Sequence, residues 1–107
     1  MILDPKDGVY ISGTCFAIQL HVDDKSGNQQ WRLLQINNKT RCYELVCCSA
    51  DPLSIAIELT SYHVMRVKGK GIKTLDVYRQ TVDVISRRCE TAINLLIPET
   101  LGGVLNV

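Results

Sequence analysis

The sequence predicts an α+β domain in which an antiparallel sheet of about five strands, a meander or roll, is packed by one long carboxy-terminal amphipathic helix. Three observations lead there. Short segments with a period-two alternation recur over residues 9–67, separated by clusters of turn-forming residues. A single apolar pattern with spacings of three and four then runs through residues 74–97 and stops at Pro98. The 107 residues, 46% hydrophobic and 21% charged, suit one globular domain over 1–107, ending in a short tail at 98–107.

The first predicted strand covers residues 9–22. Phe16, Ile18, Leu20 and Val22 fall on one face, with Cys15, Ala17, Gln19 and His21 on the other. Residues 23–28 form a turn cluster in which Gly27 supplies a positive φ. Residues 30–36 follow as a strand that is apolar on both sides and therefore central. Asparagines 37 and 38 then suit a tight hairpin, because asparagine tolerates left-handed conformations. Asn38-Lys39-Thr40 also spells a glycosylation acceptor, but without a signal peptide the turn reading is preferred. Residues 41–48 return as the third strand.

Leu53, Ile55, Ile57 and Leu59 alternate with Ser54, Ala56, Glu58 and Thr60, which reads as the clearest strand of the chain. Asp51-Pro52 offers an alternative, a helix cap followed by proline at the first helical position. Strict alternation and the β-branched isoleucines favour strand. Residues 62–67 are expected as a fifth strand.

The helix is expected to open at Thr74 as N-cap, with Asp76 in the first turn opposing the helix dipole. Its inner stripe is Leu75, Tyr78, Val82, Ile85, Cys89, Ala92 and Leu96. Val77, Val84, Ile93 and Ile97 widen that stripe beyond what one sheet contact needs, which marks them as a candidate oligomer interface. The apolar tail over 101–107 is expected to cover an edge or dock on a neighbour. This order of strands followed by one helix resembles the pleckstrin-homology superfold as architecture alone. No motif is shared, so the resemblance implies no function.

Composition narrows the function classes. Twelve Lys and Arg against eleven Asp and Glu leave a charge of +1, so no global field draws the chain to nucleic acid or anionic lipid. Residues 1–8 have neither a basic n-region nor an apolar run, and no stretch reaches the ~18 apolar residues of a membrane span. A cytoplasmic or nuclear location, rather than secretion, is the expectation. The five cysteines, Cys15, Cys42, Cys47, Cys48 and Cys89, are odd in number and lack metal-type spacing, so they read as free, mostly buried thiols. No metal site or cofactor is expected.

Arg66, Lys68, Lys70 and Lys73 place four positive charges, with Gly69 and Gly71 between them, just before a helix amino terminus. Glycine permits close backbone approach and the first helical turn attracts anions, so these four are candidate anion-binding residues for phosphate, a nucleic-acid backbone or an acidic protein surface. The spacing is not that of a P-loop. Aromatics on the strands suit a packed core better than base stacking, since no RNA-binding aromatic motif accompanies them. His21 and His63 stand without a catalytic motif, Asp23-Asp24 reads as a solvated turn, and no catalytic residue is assigned.

The leading expectation is thus a non-enzymatic interaction module, homo-oligomeric, that binds a macromolecular partner and uses the 66–73 loop on an anionic group. The alternative is a small cysteine-dependent enzyme or ligand-binding domain with a pocket between helix and sheet, in which a thiol such as Cys89 meets His63.

Overall fold

The computed structural model describes residues 8–97. It is α+β, with one four-stranded antiparallel sheet and two helices in the order β1 (Gly8–Tyr10), β2 (Phe16–Val22), β3 (Gln29–Asn37), β4 (Cys42–Ser49), α1 (Pro52–Val67) and α2 (Leu75–Leu96). The strands lie side by side in chain order, β1-β2-β3-β4, as a meander. The sheet therefore has four strands rather than five, and two helices follow it where the superfold analogy expected one.

The first expected strand is a hairpin. Ser12, Gly13 and Thr14 interrupt it, and Gly13 takes a φ of 83° that a side chain resists. The Thr14 hydroxyl donates to the Ile11 carbonyl at 2.8 Å and accepts from the Phe16 amide at 3.0 Å. The Tyr10 hydroxyl donates to the Thr14 carbonyl. The 23–28 turn matches expectation: Gly27 has φ 73°, and the Ser26 hydroxyl binds the Asp23 carboxylate at 2.6 Å, holding that carboxyl below its ordinary range. In the next turn the asparagine acts through its side chain, Asn37 Oδ1 accepting from the Lys39 amide at 2.9 Å. The positive φ falls on Arg41 instead.

Register places Val9, Ile18, Leu33 and Cys47 on one face, with Phe16 and Trp31 beside them. Both helices cover that face, α1 over β3 and β4, α2 over β1 and β2. Ile11, Phe16, Ile18, Trp31 and Leu33 pack there with Ile55, Leu59, Ile85, Cys89 and Ala92 into one buried cluster. The opposite face is also buried at its middle, where Ala17 pairs with Leu34. That burial accounts for the two-sided apolar pattern of β3, which lies between β2 and β4.

The largest correction concerns residues 52–67. They form α1, not two strands. Asp51 is its N-cap, the carboxylate accepting from the Leu53 amide at 3.0 Å, and Pro52 starts the first turn, where its missing amide costs nothing. Wound at 3.6 residues per turn, the alternating set splits: Ile55 and Leu59 point into the core while Leu53 and Ile57 point outward.

α2 keeps close to its expected limits. The Thr74 hydroxyl accepts from the Val77 amide at 3.2 Å, and 22 residues make a rod of about 33 Å. Its stripe is only partly inward. Ile85, Cys89 and Ala92 are buried, whereas Leu75 and Tyr78, nearer the start, remain exposed. Arg88 ties the helix to the first turn by donating to the Ser12 carbonyl at 2.6 Å. Among the described residues no helix is long and apolar enough to cross a membrane. The 98–107 tail lies outside the described residues.

Candidate interaction surface

A seven-residue connection, 68–74, joins α1 to α2 and makes them antiparallel neighbours. Between their outer sides runs a groove of about 790 Å³, with its floor and walls supplied only by these two helices. Pro52 and Leu53 of α1 stand near Glu90 and Ile93 of α2 at one end, and Met65 near Tyr78 at the other. Ala56, Thr60, Ser61 and Ser86 keep its middle narrow in side-chain bulk.

The outward side chains are apolar where a solvent-facing helix ordinarily carries polar ones. Leu53 is 62% exposed, Ile57 57% and Met65 66%. Even the Thr60 hydroxyl is turned into the helix, donating to the Ala56 carbonyl at 2.8 Å, so its methyl is what remains for the groove. α2 carries two exposed ion pairs at i,i+3 and i,i+4 spacing, Arg79 with Asp76 at 3.9 Å and Arg87 with Asp83 at 3.1 Å.

The basic residues gather at the connection between the helices and do not line the groove; Arg66, seven residues after the buried Leu59, falls on the core side of α1. Arg66 is in the last turn of α1, Lys68 caps it, and Lys70 and Lys73 follow, all exposed. The loop closes on itself. The amides of Lys70, Gly71 and Ile72 all donate to the Val67 carbonyl, at 3.1, 2.9 and 3.2 Å, and the Gly69 amide donates to the Ile72 carbonyl at 2.9 Å. Ile72 is buried and pins the loop, while Gly69 takes φ 80°. The amides of residues 69–72 are therefore occupied within the loop. Charged side chains are what this loop presents.

The four residues expected at an oligomer interface do not form one patch. Ile93 lines the groove and, like Ile97, also packs against the core. Val77 is half-buried, and Val84, exposed, lies one turn from Arg88 on the flank toward the first hairpin. Leu53, Ile57 and Met65 were not singled out in the sequence. Their signal was present as a surplus of apolar residues over 52–65, too many for one helix face, but period-two alternation assigned that surplus to a strand.

The thiols are dispersed. Cys89 is fully buried among core side chains, and burial pushes it up to about 11, away from the thiolate a nucleophile needs. Burial, then the Glu58 carboxylate and the neighbouring Cys48, raise Cys47 as well. Burial followed by the Arg66 and Arg88 guanidiniums lowers His63. Among the described residues no three His, Cys, Asp or Glu side chains gather as a metal site would require. The groove lies between the two helices, and a smaller pocket of about 280 Å³ lies between helix and sheet, lined by Val9 and Tyr10 of β1 and by Arg88, Thr91 and Leu95 of α2.

Comparison of the chain with protein-family models, with curated proteins and with solved structures finds no match in any of the three.

Proposed function

We propose that this chain is a non-enzymatic interaction module that docks a protein partner in the groove between α1 and α2. One observation carries the reading: Leu53, Ile57 and Met65 are more than half exposed along a single groove, on a helix whose inner side is already spent on the core. Isolated surface leucines are ordinary, but a contiguous apolar patch of several hundred Å² marks a binding surface. The basic loop supplies positive charge beyond one end of the groove, in the way that polar residues surround apolar interface centres. It steers and orients a partner and is not a separate catalytic element.

The test is affinity capture from the native host with the wild-type chain and with Ile57→Glu as baits, read by quantitative mass spectrometry. Circular dichroism and the thermal midpoint establish that the variant keeps its fold. At least one protein, a second tagged copy of the chain included, is expected to fall roughly tenfold or more in retention on the variant. Identical retention by the two baits overturns the reading.

A further inference from the structure

We infer that the occupant of the groove is a second copy of this chain, docked groove to groove about a two-fold axis through the groove's middle; this rests on the reading of the groove as a protein-binding surface. Three features point there. The first is charge. The connection at one end of the helix pair carries Lys68, Lys70 and Lys73, just beyond the groove's lining, and the other end carries Glu90 in the groove wall and the α1 cap Asp51 beside Pro52. A two-fold axis across the groove lays the basic end of each copy over the acidic end of the other, twice over. A parallel arrangement sets cations against cations.

The second feature is shape. Side chains at the centre are small, with Ala56, Thr60 and Ser86 around Ile57, so two helix pairs approach closely where the axis passes and each Ile57 enters the opposing groove. The third is area. Leu53, Ile57 and Met65 are each more than half exposed and Tyr78 is 43% exposed, which is more apolar surface than one isolated side chain offers. A second copy covers these side chains and the residues flanking them, as a standard interface of ~800 Å² per partner does.

The decisive experiment is light scattering and sedimentation of the full 107-residue chain over a wide concentration range, in low and high salt. The expected mass rises with concentration to twice the 12.0 kDa of one chain. High salt shifts the equilibrium toward monomer, because exposed charge pairs are screened. Ile57→Glu is expected to raise the dimer Kd roughly tenfold or more while the circular dichroism is unchanged. A loop variant carrying Lys68→Glu, Lys70→Glu and Lys73→Glu is expected to be monomeric, and so is Glu90→Lys. An equimolar mixture of these two restores the dimer, since each reversed end meets a reversed partner. Dimerisation untouched by Ile57→Glu, or a mixture no tighter than its components, overturns the proposal. A chain that stays monomeric at every concentration also overturns it. If it is monomeric while a different protein is still lost from the Ile57→Glu bait, the self-association fails and the interaction module stands. If no protein is lost either, both fail.

Discussion

Burial, and then the guanidiniums of Arg66 and Arg88, hold the His63 imidazole below its ordinary value of 6.5. The unfolded chain therefore takes up this proton at a higher pH than the folded one, and stability falls as pH drops below about 6.5, levelling once the folded group itself titrates. Urea unfolding at pH 7.5, 6.5 and 5.5 is expected to show a falling midpoint for the wild type and a flatter one for His63→Gln. Equal slopes sink the assignment. Of the two guanidiniums, Arg66 lies three residues along α1 and Arg88 comes from α2; the burial that dominates is a product of packing that no local motif displays. Turn residues were more legible. Gly27 took the positive φ its position demanded, whereas Arg41 took one that residue type disfavours, its amide bound to the Asn37 carbonyl at 2.7 Å.

The elements were legible wherever only one of their faces is apolar, or where caps and pattern agreed. Thr74, Asp76 and a stripe with spacings of three and four located α2 to within a residue or two. α1 is the opposite case. Its apolar residues serve both a core and a groove, and a two-sided apolar helix with residues 53, 55, 57 and 59 filled imitates a strand. Local chemistry, the Asp51 cap and Pro52, outweighed the periodicity. Asp51→Ala removes the acceptor for the Leu53 amide and is expected to destabilise the domain by about 1 kcal/mol in denaturant unfolding. No loss at all means another group caps the helix. The hairpin of β1 and β2 escaped notice for a related reason: apolar residues on either side of Ser12-Gly13 sustain the pattern across a connection of five residues, 11–15.

For the whole molecule, core and surface are separable by paired substitutions on one helix. Leu59 is fully buried against the sheet, so Leu59→Ala is expected to cost about 2 to 5 kcal/mol. Leu53, two turns earlier and mostly exposed, is expected to stay within about 0.5 kcal/mol as Leu53→Ala, which a urea titration of both resolves. Equal losses contradict the outward assignment of the groove side chains. A basic loop could be read in the sequence from charge alone, but the groove could not. It exists only because α1 and α2 lie side by side, and a sheet with a fifth strand leaves no place for it.

The meander has one more consequence. Every strand pairs with its immediate predecessor, so the sheet can zip hairpin by hairpin with short loops to close. α2 is different: it returns past the other described elements to cover β1 and β2. Tyr62 of α1 reaches the Phe16 ring, at 6.2 Å between centroids, but the apolar face over β1 and β2 is completed only when α2 packs on it with Cys89 and Ala92. The arrival of α2 converts a zipped ribbon into a cooperative unit.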